Sequence, residues 1–142
     1  NVSIFNNDSG KAIEEIYTKS LLKNVLAYAF SGLTSLKKVS FMDASIGQMA
    51  IGSYCFCNDV SLEKIEFPKN LTKIGENAFE NCFSLKEIMI PRSVTSIGKD
   101  AFKNSGITKI SYNGTSTEWN LISKGEGWNS TLDESEIVFL KS

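Results

Sequence analysis

Apolar residues recur along this chain at a fixed interval of 23 residues. One phrase consists of isoleucine and glycine, two variable residues, alanine or cysteine, and phenylalanine; it ends at Phe56, Phe79 and Phe102. Around these phrases, apolar residues occupy positions x, x+3 and x+5, giving the triplets Leu36, Val39 and Phe41; Leu62, Ile65 and Phe67; Leu85, Ile88 and Ile90; and Ile107, Ile110 and Tyr112. A fixed period of roughly 20 to 50 residues predicts a solenoid of stacked coils.

Each repeat predicts a short strand, a bend, a second extended piece and a turn. The last two triplet members alternate with polar residues, so the strand has one buried side and one exposed side. Pro68 and Pro91 directly follow two of these strands, where a missing N–H ends pairing. We expect Gly52, Gly75 and Gly98 to adopt positive φ angles and the following Ala-Phe to open a brief helical or 3₁₀ turn. Stacked neighbours must complete the core, because one coil has nothing opposite its apolar side.

One repeat is longer than the others. Phe30 and Phe56 are 26 residues apart, and we place the extra residues in a bulged loop at 42–48. With Met42 and Met49 expected on the surface, this loop is a second candidate for recognition, since loops on rigid scaffolds often carry binding residues. A tolerated insertion is the alternative interpretation.

Residues 10–24 do not follow the repeat. Their apolar residues recur at helical spacing, and Asp8 and Ser9 can cap a helix at its start. We predict an amphipathic helix that covers the open edge of the first strand, within an amino-terminal cap at residues 1–24. A helix that binds a partner is the alternative. The apolar positions are Ile13, Ile16, Tyr17, Leu21 and Leu22.

Residues 113–142 predict a cap at the other end. Trp119 and Trp128 bring large apolar surface, and residues 137–140 are typical of a last strand. If the two indoles are exposed, they could stack on sugar rings, which makes carbohydrate binding an alternative function. Between the caps, residues 25–112 account for about four coils, and we expect the whole chain to form one structural domain.

The repeat resembles a known family. The pattern L-x-x-I-x-I-P-x-x-V-x-x-I-G-x-x-A-F, which runs from Leu85 to Phe102 and is preceded by Cys82, is similar to the BspA-like leucine-rich repeat of bacterial surface proteins. Residues 112–129 are similar to a segment that often closes such arrays. The resemblance extends over most of the chain.

The resemblance implies a right-handed leucine-rich repeat solenoid of the α/β horseshoe type, with short parallel strands on one face. It also implies a secreted or cell-surface location and adhesion to proteins of a host or of neighbouring bacterial cells. The chain would then be an adhesin segment, either a monomer or part of a longer repeat array. The alternative is an architectural spacer or stalk in a larger cell-wall protein.

The outward strand positions are the candidate protein-binding residues. They alternate with the buried triplet members and form two columns on the concave strand face. The first column is Lys38, Lys64, Glu87 and Lys109, and the second is Ser40, Glu66, Met89 and Ser111. A mixed-charge face with one methionine suits a weak polar contact with a protein better than a deep ligand pocket. Opposite charges on neighbouring strands would also stabilise the sheet itself.

Composition argues against several other functions. The 142 residues carry a net charge of −1, which is unfavourable for a nucleic-acid partner or an anionic membrane. No stretch of about 18 apolar residues occurs, so we expect no transmembrane segment. Because the chain has no histidine, a Ser-His-Asp or Cys-His site cannot be built. We therefore expect no enzyme activity, metal or cofactor.

The three cysteines are interpreted as packing residues. Cys55 takes the alanine position of the repeat phrase and Cys82 a buried turn position, where free cysteine behaves as a small hydrophobe. Cys57 falls where the other copies carry polar or charged residues, so we expect it to be exposed.

Overall fold

The chain winds into stacked coils that contribute strands to two faces. A computed structural model describes residues 2–4, 12–18, 23–41, 47–130 and 132–142. The strands of the first face are β1 (Val2–Ile4), β2 (Glu15–Thr18), β4 (Lys38–Ser40), β6 (Lys64–Glu66), β8 (Glu87–Ile90), β10 (Lys109–Tyr112) and β12 (Val138–Phe139). Those of the second face are β3 (Asn24–Val25), β5 (Met49–Ile51), β7 (Leu71–Ile74), β9 (Ser96–Ile97) and β11 (Ser123–Lys124). A short helix, α1 (Ser116–Asn120), and a 3₁₀ turn at Glu134–Glu136 lie near the carboxyl end.

Strands of successive coils pair in the register that the aligned apolar triplets predict. On the first face, Val39 of β4 lies opposite Ile65 of β6, and Ile88 of β8 lies opposite Ile110 of β10. On the second face the order is β3, β5, β7, β9, β11, and each neighbouring pair is parallel. The predicted solenoid of short parallel strands is confirmed, with less helix than the horseshoe type implies.

A ladder of phenylalanine rings runs through the core. The ring centroids of Phe30 and Phe56 are 5.5 Å apart, and those of Phe56 and Phe79 are 5.3 Å apart. Phe102 continues the ladder at 5.4 Å from Phe79, with the two rings only 11° from parallel. All four side chains are buried. Each coil therefore supplies the ring on which the next coil packs.

The turn after each second-face strand is tied to the next coil. Between β7 and β8, the N–H of Phe79 donates to the carbonyl of Ala101 at 2.8 Å, whereas the N–H of Ala78 donates locally to the carbonyl of Gly75 at 3.3 Å. Local bonds and bonds between coils thus alternate, which satisfies the turn backbone without a helix.

The recurring glycines allow close packing between coils. A Cβ on Gly75 would lie 2.6 Å from the carbonyl carbon of Gly52, and one on Gly98 would lie 2.5 Å from the backbone nitrogen of Glu76. Positive φ occurs two residues after the glycine instead, at 51° for Asn77. The prediction of positive φ at Gly52, Gly75 and Gly98 is therefore wrong. Glycine is required because neighbouring backbones leave no room for a side chain.

Replacing Gly75 by alanine will destabilise the fold, because the new methyl group would meet the backbone of the preceding coil. We expect the free energy of unfolding to fall by about 1–3 kcal/mol, the usual cost of overpacking. Urea denaturation followed by circular dichroism measures the loss. Glu76→Ala, at the exposed neighbouring position, is the matched control and should change stability by less than about 0.5 kcal/mol. Equal effects of the two substitutions would contradict the steric explanation.

The helix predicted for residues 10–24 is wrong where the structure describes this segment. Glu15–Thr18 forms β2, which pairs in parallel with β4 and buries Ile16. Ile13 and Ile16 occupy the first two positions of another strand triplet, and this spacing of three residues also fits a helix. The edge of β2 is covered by β1, which pairs with it in antiparallel orientation. Residues 10–11 and 19–22 of this prediction lie outside the described part of the chain.

The carboxyl-terminal segment covers the last coil. β12 pairs in parallel with β10, which confirms the predicted last strand. The indole N–H groups of Trp119 and Trp128 donate to the two carboxylate oxygens of Glu134, each at 3.2 Å. The edge of the Trp128 ring packs on Phe102, with the centroids 6.4 Å apart. Trp128 therefore closes the phenylalanine ladder.

Candidate binding face

The eight binding residues predicted from the sequence share the solvent side of the first face. We call this set the strand face: Lys38, Ser40, Lys64, Glu66, Glu87, Met89, Lys109 and Ser111. Lys38 lies opposite Lys64 on neighbouring strands, and Met89 lies opposite Ser111. All eight are exposed or half-buried. The structure thus brings them onto one surface.

The half of the strand face on β4 and β6 is engaged in its own polar contacts. The hydroxyl of Ser40 donates to Oε2 of Glu66 at 2.7 Å, and Nζ of Lys64 forms an ion pair with Oε1 of the same carboxylate at 3.2 Å. The hydrogen bond from Ser40, followed by that from Lys64, lowers the pKa of Glu66 below its ordinary value. Lys38 lies over the ring of Tyr17, 5.7 Å from its centroid. A ligand would have to displace these contacts.

The first face is interrupted between β6 and β8. Where β8 and β10 begin, the carbonyl of Lys86 accepts hydrogen bonds from the N–H groups of Thr108 at 2.9 Å and Lys109 at 3.2 Å. No such bonds join the carbonyl of Glu63 to β8, although both strands lie in the described part of the chain. The face is therefore two sheets, β1-β2-β4-β6 and β8-β10-β12, whereas the second face continues unbroken through the same coils.

A cleft of about 1140 Å³ opens over this interruption. Two large apolar side chains stand in it, Phe83, which is 52% exposed, and Met89, which is 53% exposed. Gly106 occupies the position of Phe83 one coil later, and a Cβ there would meet the backbone carbonyl of Phe83 and Nζ of Lys86. The cleft therefore presents apolar surface that the fold leaves uncovered.

Charged side chains surround these apolar groups. The lysines that line the cleft are Lys64, Lys69, Lys86 and Lys109, and the glutamates are Glu63, Glu66 and Glu87. Four cations against three anions give a net charge of +1 in the cleft, on a chain whose net charge is −1. Nζ of Lys86 donates to the backbone carbonyl of Phe83 at 2.9 Å, which holds this ammonium group at the turn before β8.

The cysteines are placed for packing. Burial raises the pKa of the Cys55 thiol to about 12 and raises that of Cys82 as well, so both stay protonated at neutral pH. Cys57, which the sequence predicts to be exposed, is only 7% exposed, and that prediction is wrong. Its Sγ lies 3.9 Å from Oε2 of Glu80, the side chain at the same position of the next coil.

The predicted carbohydrate site is overturned, and the predicted recognition loop is tested only at Met49. Trp119 and Trp128 are 2% and 7% exposed, so neither indole offers a face to a sugar ring, and the carbohydrate-binding hypothesis is wrong. Met49 is 2% exposed and belongs to the core, contrary to the prediction. Met42 and most of the loop at 42–48 lie outside the described residues, so the recognition loop stays a prediction.

Asp59 is a buried carboxyl group that the sequence analysis missed. Its side chain is 0% exposed, Oδ1 accepts from the N–H of Leu33 at 2.8 Å, and Oδ2 has no hydrogen-bond partner among the described residues. Burial raises its pKa from 3.8 to about 8. The period contained the signal, because Asp59 precedes the buried Cys82 by 23 residues.

Metal binding and membrane crossing have no support among the described residues. No three His, Cys, Asp or Glu side chains there are placed to hold a metal ion. Among the helices of that same part, none combines the length and the apolar character needed to cross a membrane. The surface groups described above are suited to binding.

Known proteins share this repeat. Residues 2–121 match the family described as BspA type leucine rich repeat region, in six copies. Comparison with proteins of curated function gave no match.

Solved bacterial structures share the fold. A leucine rich cell surface protein from Faecalibacterium prausnitzii A2-165 aligns with a TM-score of 0.58 and 28% identity, over 77% of this chain and 34% of that protein. The pneumococcal vaccine antigen PcpA aligns with a TM-score of 0.71 and 23% identity, over 91% of this chain and 31% of that protein. A leucine-rich repeat protein from Bacteroides ovatus ATCC 8483 aligns with a TM-score of 0.50 and 20% identity, over 89% of this chain and 39% of that protein. The chain thus spans between 31% and 39% of the length of these proteins.

Proposed function

Because the chain belongs to the BspA type leucine-rich repeat family, we propose that it is a protein-interaction module of a bacterial cell-surface protein. Stacked coils repeat the same outward positions on a rigid surface, which suits extended protein partners. The similarity to a leucine rich cell surface protein at 28% identity supports the location. In this role the larger protein acts as an adhesin that binds a protein of a host or of a neighbouring bacterium.

The cleft in the strand face is the observation that carries this proposal. On β8, Met89 is more than half exposed, and Phe83 adds a second exposed apolar group at the same cleft. Uncovered apolar side chains rimmed by charges are typical of sites where proteins meet. An architectural spacer, the alternative function, requires no such surface.

Reversing charge on the strand face will weaken binding. The test immobilises extracellular-matrix proteins, host cells and bacterial cells, and measures binding of the labelled domain. The triple variant Lys64→Glu, Glu66→Lys and Lys109→Glu exchanges the two ends of the Lys64–Glu66 ion pair and inverts the charge at Lys109. We expect binding at least about tenfold weaker, since misplaced charges across an interface cost several kcal/mol.

Lys73→Glu is the matched control for surface charge. Lys73 is exposed on β7 of the second face, and its reversal should leave binding unchanged. Full binding by the triple variant would exclude the strand face as the interface. Absence of binding to every tested surface would favour the spacer.

A further inference from the structure

We propose that the cleft between β6 and β8 binds an extended segment of the partner protein, in which two apolar side chains flank an acidic one. The apolar side chains would pack on Phe83 and Met89, and the carboxylate would lie between them, near Lys86 and Lys109. This inference rests on the proposed function and specifies the chemistry of the partner.

The spacing of the apolar groups suits an extended peptide. Phe83 lies in the turn before β8 and Met89 lies within β8, six positions later. Six residues span at most about 20 Å when fully extended. A peptide strand that runs along β8 rises by about 3.3 Å per residue, so a segment of similar length can contact both groups. Its alternate side chains then point into the cleft.

The charges between the two apolar groups favour an acidic residue. Lys86, which directly precedes β8, and Lys109 of β10 lie between the two apolar groups along the face. Glu87 lies opposite Lys109 on the neighbouring strand. Lys64, by contrast, is paired with Glu66. The excess of one lysine over the glutamates gives this cleft a net positive charge, whereas the net charge of the whole chain is negative. A carboxylate would be attracted here, and an ammonium group would be repelled.

The interruption of the sheet adds backbone groups to the site. The carbonyl of Glu63 lacks the N–H partners on β8 that the carbonyl of Lys86 has on β10, within the described residues. An extended peptide carries N–H donors at regular intervals and can use such a carbonyl. This feature favours a peptide over a compact apolar molecule, which would offer no matching donors.

A set of labelled synthetic peptides tests the proposal with the intact domain. Each peptide has two fixed apolar residues six positions apart, and one residue between them, on the same side of the extended chain, is glutamate, glutamine or lysine. Fluorescence anisotropy should give the tightest binding for glutamate, weaker binding for glutamine and the weakest for lysine. Phe83→Ala and Met89→Ala should each weaken binding of the glutamate peptide about tenfold, the effect of a central apolar contact.

A charge exchange provides the decisive comparison. Lys109→Glu should reverse the preference, so that the lysine peptide binds more tightly than the glutamate peptide. Leu121→Ala, which truncates another exposed apolar side chain outside the cleft, is the matched control and should leave binding unchanged. An unchanged preference in Lys109→Glu, or equal losses in Met89→Ala and Leu121→Ala, would overturn the proposal. Dimerisation of the domain that Met89→Ala abolishes would identify a second copy as the occupant and would also overturn it.

The experiments distinguish a failure of the proposed function from a failure of the peptide inference. If no peptide binds but the triple variant still loses cell or matrix binding, the interaction function stands and the peptide inference is wrong. If the peptides bind in the cleft but no cell or matrix surface does, the peptide site stands and the proposed function is wrong.

Discussion

Phe79→Ala will lower the free energy of unfolding by about 3–5 kcal/mol, the usual cost of deleting a buried phenylalanine ring. The ring is 0% exposed and lies between Phe56 and Phe102, with centroid distances of 5.3 Å and 5.4 Å. Its removal leaves a cavity at the centre of the ladder and breaks two stacking contacts. Such a loss is a large fraction of the stability of an ordinary domain, and urea denaturation will measure it.

Phe83→Ala is the matched control for this substitution. It deletes the same ring four residues later, where the side chain is 52% exposed. We expect a change of less than about 0.5 kcal/mol, as for other surface positions. Similar losses at the two positions would mean that the ladder does not form the core.

Raising the pH will weaken the fold through Asp59, and Asp59→Asn will remove this contribution. Burial raises the pKa of Asp59 from 3.8 to about 8, so between these values the folded state holds a proton that the unfolded state has released. Because the folded state binds more protons there, the free energy of unfolding falls as the pH rises across this interval and levels off above it. The fall should be on the order of a few kcal/mol, since each unit of pKa shift corresponds to about 1.4 kcal/mol.

Urea denaturation of both proteins across this pH interval tests the prediction. The asparagine keeps an oxygen that accepts from the N–H of Leu33, but its buried amide group costs about 1–3 kcal/mol if unpaired. The variant should therefore be less stable at the acidic end and should show a flatter dependence on pH. Other titrating groups are common to both proteins and cancel in the difference. A wild-type curve as flat as that of the variant would contradict a buried, protonated Asp59.

The stacked coils could be predicted because their cause lies in local sequence. The period fixes which side chains face the core, and Phe79 and Phe102 stack as the spacing requires. The apolar spacing at residues 10–24 predicts a helix as readily as a strand triplet, because positions i and i+3 can share a side in both structures. Only the neighbouring strand decides between them, and β4 lies beside β2.

The role of the glycines could not be predicted from one repeat alone. Glycine permits both positive φ angles and close backbone contact, and the sequence does not distinguish the two. Leu26 occupies the position of Gly52 one coil earlier, where it is 74% exposed. The close contact, which involves the backbone of Leu26 and Ala27 below Gly52, appears only when coils are stacked.

The strand face was predicted but its cleft was not. Alternation along a strand identifies the outward side chains, whereas the absence of pairing between Glu63 and β8 depends on backbone positions in two coils. The exposure of Phe83 did have a sequence signal, because Gly106 follows it by one period. Asp59 is not predicted to be buried by polarity alone, because charged side chains are ordinarily exposed.

The interruption between β6 and β8, which we call the seam, makes the resistance of the domain to bending and tension differ along its length. Coils on either side of it are joined by the second face and by the turn hydrogen bonds, but not by a ladder on the first face. Bending about the continuous second face would therefore widen or narrow the gap while β5, β7 and β9 stay paired. Tension along the axis of the solenoid would separate the coils at this seam before it separates neighbouring coils whose strands pair on both faces.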